Sequence, residues 1–140
     1  MQYLTIDSSV FVAAIRQGEE KQESCKKLLQ KVASGEFKAI EPYTVLVEVT
    51  AAIRRRTGSI EFAERIKNDL LSIEGITFEE VVRYRAEEAC QIAAQASIRG
   101  MDAVIVQIAK ENKCTLVTLD DEMAEKVKGH IAIEEVDKLL

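Results

Sequence analysis

Apolar and polar positions alternate along the chain in blocks that predict strands and helices by turns. Tyr3-Leu4-Thr5-Ile6 predicts a short strand stopped by Asp7-Ser8-Ser9, residues that favour helix N-caps, and Val10 to Arg16 predicts a short helix ended by Gly18. From Glu20 to Ser34, Cys25, Leu28, Leu29 and Val32 recur at helical spacing, and Gly35 closes the run. Phe37 to Ile40 predicts a strand, stopped by Pro42, the single proline. Thr44 is placed to cap a helix through Arg56, ended by Gly58, and Ser59 to cap another through Ser72, ended by Gly75. Ile76 to Phe78 predicts a short strand, Val82 to Ile98 a helix broken by Gly100, and Asp102 to Asn112 a further helix. Cys114 to Leu119 predicts a strand, Asp121 to Lys128 a helix, Ile131 to Ile133 a last strand and Glu134 to Leu140 a helical tail. Strands alternating with an excess of helices predict an α/β architecture around a mostly parallel sheet.

A length of 140 residues predicts one domain, residues 1–140, and a 47% hydrophobic content excludes intrinsic disorder. With 5% aromatic residues and no tryptophan, the core is expected to be aliphatic. No apolar run approaches the roughly 18–20 residues of a membrane span, and no basic region precedes an apolar one at the N-terminus. A cytoplasmic protein is therefore expected. Cys25, Cys90 and Cys114 form neither an even set nor a C-x-x-C pair, which argues against a disulfide framework or a zinc site. A single histidine, His130, and the absence of nucleophile-elbow, Walker A or dinucleotide-binding patterns leave carboxylates to carry any catalysis.

In open parallel sheets, ligands bind beyond the carboxyl ends of the strands. Asp7 and Asp120 both follow apolar strand segments there. Capping alone also accounts for an Asp between a strand and a helix, and Asp102 at a helix start has the same explanation. Glu48 does not. It lies within Val45-Leu46-Val47-Glu48-Val49, and a carboxylate on an apolar helical face is costly unless it is exposed, paired or metal-bound. Taken jointly, four acids on one apolar rim would repel one another, and a hard divalent cation with oxygen ligands resolves the repulsion. Mg²⁺ or Mn²⁺ held there would activate water for attack on a phosphodiester.

These segments resemble the motifs of PIN-domain ribonucleases, and most closely the VapC toxins of prokaryotic toxin–antitoxin pairs. The resemblance rests on Tyr-Leu-Thr-Ile-Asp7-Ser-Ser-Val, Val-Leu-Val-Glu48-Val, Arg99-Gly-Met-Asp102-Ala-Val and Thr-Leu-Val-Thr118-Leu-Asp120, in that order along nearly the whole chain. It implies a three-layer α/β/α sandwich with a parallel sheet and Mg²⁺- or Mn²⁺-dependent cleavage of RNA. It matches Asp7, Glu48 and Asp102 to three core acids, Asp120 to a more variable fourth, and Thr118 to a hydroxyl position two residues earlier. Asp121 is an extra acid able to replace or assist Asp120. Ser8 and Ser9 could set a hydroxyl near a metal-bound water, with helix capping as the competing role. The resemblance also implies a homodimer and a small antitoxin partner.

The formal net charge of −5 argues against a broad basic surface for nucleic acid. It leaves room for a local one. Residues 1–60 hold nine basic and seven acidic side chains. Arg54, Arg55 and Arg56 follow Glu48 by six to eight residues, about 9–12 Å along a helix, a distance suited to a flanking phosphate. A solvated helix end explains them equally well. Arg99 could pair with an acid, reach substrate or close a helix ahead of Gly100. Two other functions fit the same residues: a nuclease of this fold acting in RNA processing or on DNA, and a non-catalytic binding module. Aspartyl phosphotransfer fits less well, because Ser9 stands where a second Asp would be needed and Asp7 has no acidic neighbour.

Overall fold

In the computed structural model, which describes residues 1–140, the strands and helices follow one another as β1 (Gln2–Ile6), α1 (Ser8–Ile15), α2 (Gln22–Ala33), β2 (Phe37–Pro42), α3 (Thr44–Thr57), α4 (Ile60–Leu71), β3 (Ile76–Glu79), α5 (Arg83–Ala96), α6 (Gly100–Glu111), β4 (Thr115–Val117) and α7 (Asp121–Val127). A 3₁₀ turn at Val136–Leu139 ends the chain. The four strands form one parallel sheet in the order β3-β2-β1-β4. Each crossover contains two helices. The chain steps outward from β1 through β2 to β3, then returns to the other side of β1 to place β4. Right-handed crossovers in opposite directions put their helices on opposite faces of the sheet, which gives the α/β/α sandwich. The reversal falls between β1 and β4, so the crevice at the carboxyl ends of these two strands is the topological switch point.

The core is aliphatic, as the composition predicts. Leu4 and Ile6 of β1, Leu28 and Val32 of α2, Ile105 and Ile108 of α6 and Leu116 of β4 are fully buried. Phe11 is the one aromatic residue buried among them. Gly75 explains how β3 starts so close to α2: a Cβ there would stand 2.2 Å from the Val32 carbonyl oxygen. Gly58 ends α3 with φ +72°, a left-handed conformation that glycine adopts without strain, and its N–H bonds the Arg54 carbonyl at 2.9 Å.

Several boundaries differ from the sequence expectation. The strand expected at Ile131–Ile133 reduces to a single bridge between Ile133 and Leu116, because only the Ala132 carbonyl and the Glu134 N–H reach Leu116. The expected tail helix is one 3₁₀ turn, too short to propagate as an α-helix. The strand expected over Cys114–Leu119 keeps only Thr115–Val117, because the Thr118 hydroxyl and the Leu119 N–H turn to Asp7 and Ser9 at the head of α1 instead of extending the ladder. The helix expected from Asp102 starts two residues earlier. Ser97 takes a left-handed conformation (φ 57°) that ends α5, and Arg99, in extended backbone, stands at the N-cap of α6. Thr44 does not cap α3: Tyr43 holds that position, and the buried Thr44 hydroxyl has no partner.

Candidate active site

The switch-point crevice is a cleft of about 1050 Å³ lined by Asp7, Glu48, Asp102 and Asp120 together with arginines from three segments. Four different elements deliver the acids. Asp7 follows β1 and caps α1; Glu48 lies in the second turn of α3; Asp102 is in the first turn of α6; Asp120 follows β4 and caps α7. Capping and facing the cleft are compatible, because a carboxylate has two oxygens. Asp120 uses Oδ1 for the Met123 N–H at 3.0 Å, which leaves Oδ2 towards the cleft.

Asp7 is buried and its orientation is fixed by two hydroxyls. Its Oδ2 accepts from Ser9 Oγ at 2.6 Å and Thr118 Oγ1 at 2.9 Å, with a longer bond from the Ser9 N–H at 3.4 Å. Each hydroxyl in turn accepts a backbone N–H from the β4–α7 connection: Leu119 donates to Ser9 Oγ at 3.1 Å and Asp120 to Thr118 Oγ1 at 3.0 Å. A hydroxyl has one proton. With its lone pairs engaged by an N–H, that proton is aimed at Asp7. The loop carrying Asp120 therefore holds Asp7 in register, and Asp7 Oδ1 takes none of these bonds. Of the two serines after Asp7, Ser9 does this work; Ser8 lines the cleft.

Glu48 is the least compensated of the four. Its Oε1 is shielded from solvent and has no hydrogen-bond partner. Burial first, then the charges of Asp7 and Asp102, push its carboxyl up to about 7, against a smaller opposing effect of Arg99. Asp102 is also raised, by burial and by Asp7 and Asp120, again opposed by Arg99. Arg99 is the one cation that reaches these acids. Its Nε stands 3.5 Å from Asp102 Oδ2 and its Nη2 3.6 Å from Asp120 Oδ2.

The remaining sequence candidates separate. Arg55 and Arg56 line the cleft with Arg16, whereas Arg54 is exposed outside its lining. Asp121 is exposed at the start of α7 and outside the lining, while Asp120 is within it. Arg99 does not close a helix ahead of Gly100, because α5 has already ended at Ala96.

One acid escapes sequence reasoning. Glu41, at the end of β2, is fully buried, and both its oxygens accept from the Ile6 N–H, the residue before Asp7. The side chain takes over where the β1–β2 ladder stops at Leu4↔Ala39. Burial drives its carboxyl well above the usual range; the Ile6 N–H opposes this and the Asp7 charge adds to it. The available signal was the strand's two-residue period, which puts Glu41 on the same face as buried Ala39.

The donor set suits a hard cation. It consists of carboxylate oxygens only, and one of them, Glu48 Oε1, is desolvated and unpartnered. No three of the acidic, histidine or cysteine side chains stand close enough to form a finished cage. Four like charges with one arginine among them do not converge on their own, and Mg²⁺ needs only one or two carboxylates because it keeps several waters. The residues thus fit a hydrated divalent ion gathered by the cleft.

Comparison with known proteins places this arrangement. The PIN domain family matches residues 4–129, and the chain belongs to that family. Solved structures share the fold. The Mycobacterium tuberculosis toxin VapC20, described as cleaving the sarcin–ricin loop, is 19% identical, with a TM-score of 0.74 over 87% of this chain and 93% of that one. DNA-bound VapBC from Salmonella typhimurium is 17% identical, with a TM-score of 0.72 over 97% and 99% of the two chains. PAE2754 from Pyrobaculum aerophilum is 21% identical, with a TM-score of 0.69 over 99% and 86%. Among the curated proteins, none matches by sequence. No helix is long and apolar enough to cross a membrane.

Proposed function

We propose that the chain is a Mg²⁺- or Mn²⁺-dependent endoribonuclease, the toxin of a VapBC-type pair, built as one domain over residues 1–140. The observation that carries this reading is the meeting of Asp7, Glu48, Asp102 and Asp120 from four elements in the switch-point cleft, with a desolvated carboxyl oxygen left over. A cation bound there would supply an activated water and neutralise charge on the scissile phosphate. Asp7, held by Ser9 and Thr118, and Glu48, through its free Oε1, would be the principal holders, with Asp102 and Asp120 completing the negative wall. In the hydrolysis, the water oxygen bonds to phosphorus as one ester P–O bond breaks, and the departing oxygen takes a proton. Arg55 and Arg56, along α3 from Glu48, are suited to the phosphates flanking the break.

RNA as substrate is supported by the activity described for the structurally similar VapC20, and a protein inhibitor by the VapBC complex of the same fold. Such a protein would work in the cytoplasm as a homodimer under the control of a small antitoxin. The test is incubation of a panel of structured and unstructured RNAs with purified protein in Mg²⁺, Mn²⁺ or EDTA, beside Asp102→Asn. Cuts that require the metal and vanish in the variant are expected. A folded protein that neither cuts nor binds Mn²⁺ would overturn the reading and leave the four acids as caps and surface charges.

A further inference from the structure

We propose that Arg99 is a built-in placeholder cation: it holds Asp102 and Asp120 while the cleft is metal-free, yields them when a divalent ion arrives, and then turns to the phosphate of the substrate. This rests on the metal-dependent reading above and specifies how that site is regulated.

The contrast with Arg85 carries the argument. The Arg85 side chain is only 14% exposed, and its guanidinium lies 2.7 Å from Glu111 Oε2, donates to the Glu80 carbonyl at 2.7 Å and also reaches Glu79. That is a fixed clamp tying β3, α5 and α6 together. Arg99 is 82% exposed, and its two ion pairs, at 3.5 and 3.6 Å, are both longer than the 2.7–2.9 Å typical of charge-assisted hydrogen bonds. No backbone carbonyl holds it, and it makes no side-chain cap bond at the head of α6. An arginine so loosely held costs little to move. Its place between two acids nevertheless matters, because it is the one cation acting on Glu48 and Asp102 alike.

A divalent ion and a guanidinium cannot share Asp102 and Asp120 without strong repulsion. Metal binding must therefore work against Arg99, and the freed side chain, still tethered at the N-cap beside Asp102, stays in the cleft. Two opposite effects follow from removing its charge. Metal binding should tighten, because a competitor is gone; RNA cleavage should weaken, because a phosphate ligand is gone. A residue that merely positioned the acids would lower both, and a substrate contact alone would leave metal affinity untouched.

The experiment is a Mn²⁺ titration followed by electron paramagnetic resonance of the wild type, Arg99→Gln, Arg99→Lys and, as a control for net charge, the remote Arg83→Gln. RNA cleavage is measured on the same preparations. For Arg99→Gln, a Mn²⁺ Kd about 3- to 10-fold lower is expected, with kcat/KM on RNA reduced; Arg99→Lys and Arg83→Gln should stay near the wild-type Kd. An unchanged or raised Kd in Arg99→Gln would overturn the proposal while leaving the nuclease reading standing. Failure of the wild type to bind Mn²⁺ would instead overturn the nuclease reading, and this proposal with it.

Discussion

Replacing Glu48 by Gln should stabilise the metal-free protein and remove its response to metal. The structure gives both the sign and the size. The Glu48 carboxyl is raised from 4.5 to about 7 by burial and by Asp7 and Asp102. A carboxyl raised on folding contributes its full stability below the unfolded value near 4.5 and loses it as the pH climbs through about 7. That interval, at about 1.4 kcal/mol per pH unit, sets an upper limit of about 3 kcal/mol at pH 8. Glu48 is partly solvated, so screening reduces the expected gain to about 1–2 kcal/mol. Gln keeps the shape and carries no charge. In EDTA at pH 8, Glu48→Gln should therefore melt about 3–7 °C above the wild type, and the gap should close near pH 4.5. Saturating Mn²⁺ should reverse the order, since a ligand at 100 times its Kd adds about 2.7 kcal/mol to the protein that binds it. Differential scanning calorimetry at pH 4.5, 6 and 8, with EDTA or Mn²⁺, reads all of this. Equal melting temperatures at every pH, or a gap that does not change with pH, would mean that the Glu48 charge does not destabilise the fold.

Three further outcomes are expected. Thr118→Val removes one hydroxyl aimed at Asp7 and leaves the Asp120 N–H without its acceptor, so Mn²⁺ affinity should fall about 10- to 100-fold with little change in circular dichroism. Glu41→Gln should flatten the pH dependence of stability: the raised wild-type carboxyl loses up to about 1.4 kcal/mol per pH unit above the ordinary value of 4.5, whereas the amide oxygen accepts from Ile6 N–H at any pH, as urea melts between pH 5 and 8 would report. Gly75→Ala drives a methyl group against the Val32 carbonyl and should cost about 1–3 kcal/mol, read from the urea midpoint.

Much of this architecture is legible in the sequence because it depends on periodicity and punctuation. The helix α2 follows from Cys25, Leu28 and Val32, and α4 from Ser59, whose hydroxyl accepts from the Phe62 N–H as a cap should. Strand-then-acid places Asp7 and Asp120, and the apolar surroundings of Glu48 mark it as out of keeping. What is not legible depends on contacts between distant residues. Ser9 and Thr118 are 109 positions apart, so nothing local says that both hydroxyls turn to one carboxylate, or that Ser9 rather than Ser8 does so. Glu41 reads as an ordinary strand-end acid until the sheet places Ile6 beside it. The start of α6 at Gly100 is not legible because the left-handed turn at Ser97 is a tertiary choice, and that choice makes Arg99 a cleft residue rather than a helix-end cation.

The proposed function requires Asp7, Glu48, Asp102 and Asp120 to act together on one divalent ion. Crystals soaked in Mn²⁺ and recorded for anomalous scattering test it most directly. An anomalous peak is expected in the cleft within ligand distance of Asp7 and Glu48, lost in Asp102→Asn or much reduced. Mn²⁺ bound elsewhere on a well-ordered molecule, with no peak among these acids, would contradict it.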